Sequence, residues 1–399
     1  MIRIHQVLAT LGYGDAIGHE VLGIQRVLRS AGYESEIFVE TADQRLEPQT
    51  RDYRELVDFS HPNNLLLHHF SLGSKASRTA FALPDRMALI YHNITPPEYF
   101  VGVHRMLARQ CFRGRRELKA YADRCDLALG DSELNRQDLE TLGFPRTAVL
   151  PVVPDLSYLD REPNWLIAGD FDDDWTNILF VGRVIANKKI EDLIRVFHAY
   201  RTIFNPRSRL LIVGAQGGFE RYTASLHQLV GTLRASHVHF VGHVSEEELI
   251  AFYECADLFL CASEHEGFCV PLVEAFYKQV PVLAYAATAV PSTMDGAGVL
   301  YDDKDPMHVA GLMDAIVTNA ALQDLIVDGQ CDAVDRLRAK DFAGTLLGFV
   351  DTILSKPRAA GPYVAFDFWR QFDAAQELEE LRLYRPAIYK ALPAREIEN

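Results

Sequence analysis

Two α/β domains, each a doubly wound parallel sheet, are what this 399-residue sequence predicts. Three observations lead there. Short apolar runs that read as strands alternate with amphipathic stretches of helical period in both halves, the pattern of parallel sheets covered by helices. A glycine-containing turn follows the first strand of each half, Gly12-Tyr13-Gly14 in one and Gly182-Arg183 in the other. The length also suits two hydrophobic cores better than one.

Composition narrows the class. With 48% hydrophobic and 24% charged residues the chain reads as a globular protein. A net charge of −15 argues against nucleic acid as a partner, because phosphate contacts need a basic surface. No apolar run reaches the roughly 18 residues of a spanning helix, and the expected location is cytoplasmic. The six cysteines show no C-x-x-C pair, so free thiols of a reducing compartment are expected.

Residues 1–160 are expected to form the first domain. A strand over 2–8 leads through the Gly12–Gly18 turn into a helix over about 19–31, closed by Gly32. The turn falls short of a dinucleotide fingerprint, because after Gly12-x-Gly14 the third glycine comes one position late at Gly18. Strands over 35–39 and 64–68 follow. The strand Leu89-Ile90-Tyr91-His92-Asn93 ends just before Pro96-Pro97, which places His92 at a strand's carboxyl end. There it is either a satisfied structural residue or part of a site. A single helix over about 98–124 carries Arg105, Arg109, Arg113, Arg116 and Arg124, with the first four along one side. Such a stripe is either a solvated face or a docking surface for anionic lipid heads.

Residues 161–176, with Asp170-Phe171-Asp172-Asp173-Asp174, read as an acidic linker, and no metal is expected there or elsewhere. The second domain, 177–360, opens with the strand 178–181. In the loop after it, Arg183 and Lys188 can converge on one anion. Ser245-Glu246-Glu247-Glu248 has the form of a capping box. Residues 361–399 are expected to supply helices packing back on the first domain.

The stretch from Cys261 to Pro281 is the centre of the reading. Pro271 suits the first turn of a helix, so the amides of Gly267, Phe268, Cys269 and Val270 stay free at its positive end, where a phosphate binds. Glu266 and Glu274 frame this mouth. Two carboxylates first suggest a glycoside hydrolase, but a cationic pair and a free helix start favour a phosphate-bearing substrate.

Gly182-Arg183-x4-Lys188, followed by Glu266-Gly267-Phe268-Cys269-Val270-Pro271-x2-Glu274, resembles glycosyltransferase family 4, retaining enzymes of the GT-B fold. In the first half the resemblance rests on the glycine turn, His92 and Asp131-Ser132-Glu133-x2-Arg136. It implies two facing Rossmann-like domains with a cleft between them. It also implies metal-independent transfer of a hexosyl group from a UDP- or GDP-sugar to a glycan or lipid-linked acceptor, in cell-surface polysaccharide synthesis, with no cofactor. On this sequence, Arg183 and Lys188 would hold the diphosphate, Glu266 the donor sugar and Glu274 the ribose. Backbone groups of Gly267, Phe268, Cys269 and Val270 would meet sugar and phosphate. Val244 would lie by the base, and Gly14 and His92 would reach across from the first domain. Cys269 stands where a glycine is common. The alternatives are a nucleotide-sugar epimerase of similar shape and a nicotinamide-dependent oxidoreductase.

Overall fold

The computed structural model describes residues 2–14 and 16–356. Among these residues the first domain holds a seven-stranded sheet. Its strands are β1 (Ile4–Leu11), β2 (Ile37–Ala42), β3 (Arg51–Asp52), β4 (Leu65–Phe70), β5 (Arg86–Tyr91), β6 (Leu127–Gly130) and β7 (Thr147–Val149). They lie in the order β3-β2-β1-β4-β5-β6-β7, and every pairing is parallel. The order reverses between β1 and β4. Ligands of open α/β sheets bind at the carboxyl ends beside such a reversal.

The second sheet has six strands, β8 (Thr176–Val181), β9 (Ser208–Val213), β10 (Val238–Gly242), β11 (Leu258–Cys261), β12 (Val282–Tyr285) and β13 (Val299–Tyr301). The order β10-β9-β8-β11-β12-β13 puts its reversal between β8 and β11. The loops leaving these two strands carry Arg183, Lys188 and Glu266. Topology therefore brings together segments about eighty positions apart in sequence.

The central strands are buried along their length, as parallel strands covered on both faces must be. Sequence patterning places most elements well. The capping box at Ser245 is present, with Glu248 N to Ser245 Oγ at 3.3 Å and Ser245 N to Glu248 Oε2 at 2.7 Å.

Three expectations change. The single helix over 98–124 is two elements, a 3-10 turn at Pro97–Phe100 and a helix at Arg105–Ala120. Gly102 breaks them with φ of +79°, and His104 caps the helix through a bond from Leu107 N at 3.1 Å. Arg124 leaves the stripe entirely: it is buried and donates to the carbonyls of Phe81, Leu83 and Asp85 at 2.9–3.0 Å.

The stretch 161–176 is also more ordered than a linker. It contains the helix Trp165–Asp170, and Asp173 and Asp174 pair with Arg209 and Arg207. The return crossing falls earlier than expected. Helix Phe342–Ser355 places Leu346, Val350 and Ile353 in one core with Ile4, Ile24 and Leu28 of the first domain. Arg86 of β5 ties it down by donating to Ile353 O at 2.5 Å. Residues 361–399, expected to make this contact, lie outside the described residues.

Candidate active site

The loop after β8 and the loop after β11 are stitched to each other. Glu264 N donates to Asn187 O, and Asn187 Nδ2 donates to His265 O, both at 2.9 Å. These bonds set Lys188 Nζ against the carboxylate of Glu266, in a buried ion pair. Burial opposes the charge on Lys188, yet the Glu266 carboxylate outweighs it and holds the ammonium above its ordinary range. Arg183 is exposed instead, with its guanidinium 5.7 Å from the centre of the Phe219 ring. Phe219 packs in turn on Phe100 and His104 of the first domain, ring centres 6.1 and 5.3 Å apart. One predicted cation is thus held by an acid and the other stands on a ring at the domain boundary.

The helix after this loop runs Val270–Tyr277, starting one residue before Pro271. Cys269 caps it at φ +78°, a left-handed conformation that glycine adopts freely and other residues adopt at a cost. Among the described residues, the amides of Gly267, Phe268, Cys269 and Val270 have no protein acceptor. They lie at the helix's positive end as expected.

Gly267 is where the domains meet. A Cβ there would stand 3.1 Å from Asn93 Cβ and 3.5 Å from His92 O, both in the first domain. Asn93 Nδ2 also donates to Glu266 O at 3.4 Å. Phe268 and Val244 pack against the second domain's core. Gly14 adopts φ +73° with open space beside its Cα.

Glu274 is separate from the Lys188–Glu266 pair. Its two carboxylate oxygens accept from Tyr158 Oη at 2.6 Å and Tyr253 Oη at 2.7 Å. Burial raises its pKa against the opposing effect of both hydrogen bonds. Tyr158 belongs to the interdomain segment, and its ring lies 6.0 Å from that of His19 on the first domain's first helix.

His92 differs most from expectation. Its ring is 1% exposed and engaged inside the first domain, so its backbone meets the Gly267 loop while its ring is held away from it. Gln6 Nε2 donates to Val21 O at 3.0 Å, which turns Gln6 Oε1 toward His69 Nε2 at 2.9 Å. That histidine nitrogen must therefore carry a proton. Burial keeps His69 neutral, so its Nδ1 accepts from His92 Nε2 at 2.8 Å. His92 Nδ1 then lies 3.0 Å from Asp131 Oδ2 and 3.8 Å from Glu20 Oε2. The row closes only with one further proton, on His92 or on an acid. Glu20 is pushed up to about 8 by burial and then by Asp131, with His92 opposing.

Sequence reading missed Gln6, Glu20, His69, Tyr158 and Tyr253. The one available signal was His68-His69 inside an otherwise apolar strand, since buried polar groups need partners. Ionisable atoms converge within 4.8 Å at two places among the described residues, Glu20–His92–Asp131 and Cys261–Glu266–Cys269.

A groove of about 780 Å³ opens beside this region. Phe112, Arg115, Arg116 and Lys119 line it from one helix, and His265 and Thr288 close it from the second domain. Arg115 pairs with Asp138 at 2.8 Å, whereas Arg116 and Lys119 are exposed.

Residues 164–328, most of the second domain, match the family described as glycosyl transferases group 1, and the two-sheet architecture is the GT-B fold. Among curated relatives, the O-antigen chain mannosyltransferase B of Escherichia coli is 30% identical over 129 residues, 32% of this chain and 33% of that protein. The D-inositol 3-phosphate glycosyltransferase of a Nocardioides species is 31% identical over 165 residues, 38% of this chain and 36% of its own. The match thus spans about a third of the length of those relatives. Among solved structures, Anabaena HepE in complex with UDP-glucose superposes with a TM-score of 0.70 at 16% identity, covering 88% of this chain and all of that one. Sucrose-phosphate synthase from Thermosynechococcus elongatus gives 0.66 at 17% identity, covering 89% and 99%.

Proposed function

We propose that the chain is a retaining glycosyltransferase of family 4 that moves a hexosyl group from a UDP- or GDP-sugar to a glycan or lipid-linked acceptor. The observation that carries this reading is the arrangement at the second sheet's reversal. There Lys188 pairs with Glu266, and the free amides of the Val270 helix start follow Glu266 directly in the same loop. Departure of a nucleotide diphosphate builds negative charge on phosphate and positive charge on the sugar ring, so fixed donors near one and an acid near the other lower the barrier. Arg183, poised on Phe219 where the domains touch, completes the anion site as the cleft closes. Val244 and Glu274 would take base and ribose.

In this reading no metal is needed, because Arg183, Lys188 and the helix start supply the positive charge. The groove lined by Phe112, Arg116 and Lys119 is a fitting place for an anionic, partly apolar acceptor. Exposed Met106 and Phe112 beside Arg105 and Arg116 support contact with the cytoplasmic face of a membrane. The O-antigen chain mannosyltransferase activity named for the Escherichia coli relative makes a cell-surface polysaccharide role the natural one to test.

A thermal-shift screen of UDP-, GDP- and ADP-sugars identifies the donor, since a ligand stabilises the folded state by mass action. Nuclear magnetic resonance of the transferred sugar then reads the anomeric outcome. Stabilisation by none of these nucleotides, or an inverted product, overturns the proposal.

A further inference from the structure

Two of the six cysteines meet inside the donor loop. Cys261 ends β11 and is buried, whereas Cys269 caps the next helix and is half-buried. Their sulfurs lie within 4.8 Å of each other and of a Glu266 carboxylate oxygen. The segment between them, residues 262–268, contains Glu266, Gly267 and Phe268. The other four cysteines belong to no such group among the described residues.

The left-handed backbone at Cys269 is part of this arrangement. A side chain at φ +78° is tolerated here although glycine would fit more freely, and that side chain is a thiol set against a second thiol. Lys188 lies close enough for its charge to interact with both sulfurs. The Cys261 neighbour, burial and then the Glu266 carboxylate push the Cys269 thiol well above its ordinary range, with Lys188 opposing, so it is the closeness of the two sulfurs that favours their joining.

We propose that Cys261 and Cys269 are a peroxide-reactive thiol pair whose disulfide takes the loop out of its nucleotide-binding shape. The consequence for binding rests on the reading of this loop as the donor site. Hydrogen peroxide meets the half-buried Cys269 first: its sulfur attacks one peroxide oxygen, the O–O bond breaks, the thiol proton passes to the departing hydroxide, and sulfenic acid and water result. Cys261 sulfur then attacks Cys269 sulfur, the S–O bond breaks, and the hydroxide leaves as water with the remaining thiol proton. The pair gives up two electrons, and one peroxide becomes two waters. A disulfide holds its sulfurs about 2 Å apart. Closing the gap draws Cys269 toward the strand end, shifting the free amides at the helix mouth and the Glu266 segment together.

The experiment treats the full chain with graded hydrogen peroxide and follows intact mass, peptide maps and binding of UDP and GDP. Expected are the loss of two hydrogens, a linked peptide holding Cys261 and Cys269, and at least a tenfold weaker nucleotide affinity that dithiothreitol restores. Cys261→Ser should give no linked peptide and keep its own nucleotide affinity through the treatment. Cys269→Gly, which suits the backbone, is the second variant should the serine protein misfold, and it too should be insensitive. Absence of the linked peptide overturns the proposal, as does a linked protein that binds nucleotide as tightly as the reduced one. If the reduced protein binds neither nucleotide, the donor reading falls, while the mass and peptide result still decides whether the thiol pair exists.

Discussion

The two walls of the cleft hold their polar groups in opposite ways. In the second domain they sit on two loops bound to each other, with Lys188 and Glu266 as a pair and Arg183 exposed over the Phe219 ring. In the first domain they run inward as a row from Gln6 through His69 and His92 to Asp131 and Glu20, mostly shielded from water. A charged pair on a loop can exchange partners when an anionic ligand arrives. A buried row resists rearrangement, because each broken bond strands a polar atom away from solvent. The difference teaches that the second domain supplies the responsive half of the site and the first domain a rigid wall with a stored proton.

The largest expected effect tests the responsive half. Lys188→Ala removes a fixed cation and leaves Glu266 as a buried carboxylate without its partner, so transfer should fall about 100 to 1,000-fold. Stability should fall as well, because breaking one side of a buried pair strands the other charge. Arg183→Ala should slow transfer without that loss of stability, since the side chain is exposed. Steady-state kinetics and urea unfolding on both variants separate the two roles; equal destabilisation by both would show that the buried Lys188–Glu266 pair carries no more structural weight than the exposed Arg183.

Next in size is a test of the wall. His69→Leu preserves bulk but leaves His92 Nε2 and Gln6 Oε1 facing an apolar side chain. Each buried group so stranded costs about 1–3 kcal/mol. A lower urea midpoint with unchanged slope is expected; a midpoint equal to the parent's would show that the row has no structural weight.

The same contrast explains how much could be read from the sequence. Lys188, Glu266 and the proline-opened helix are legible because loop motifs are local: their chemistry depends on residues a few positions apart, and strand alternation supplies the sheet that joins them. The row is not local. Gln6, Glu20, His69, His92 and Asp131 come from five separate segments, and only the strand order β1-β4-β5-β6 sets them side by side. His92 was legible as a strand-end residue, but its partners decide that its ring points inward. Tyr158 and Tyr253 escaped for a similar reason, since nothing near either one in sequence marks a hydroxyl aimed at Glu274. The break at Gly102 was visible as a residue, yet helical spacing on either side masked it.

A smaller effect is expected where the two walls touch. Gly267→Ala introduces a Cβ 3.1 Å from Asn93 Cβ, close enough that the neighbour must yield by a few tenths of an ångström. The cleft should close less well, giving a several-fold lower kcat/KM with little change in melting temperature. Unchanged kinetics would mean that this contact does not set the closed geometry.

The smallest effect concerns the stored proton. In the unfolded chain Glu20 releases its proton near pH 4.5, whereas in the folded protein it holds it to about 8. Between those values the folded state binds a proton that the unfolded state has lost, so on this residue's account stability is greatest below pH 4.5 and declines as pH rises toward 8. Glu20→Gln has no proton to lose and preserves the shape of the group. Its melting temperature should match the parent's at pH 5 or below and exceed it by a few degrees at pH 8. An offset that is constant across this range would show that Glu20 does not hold the extra proton, and the first domain's wall would then present an ionised Glu20 beneath the cleft.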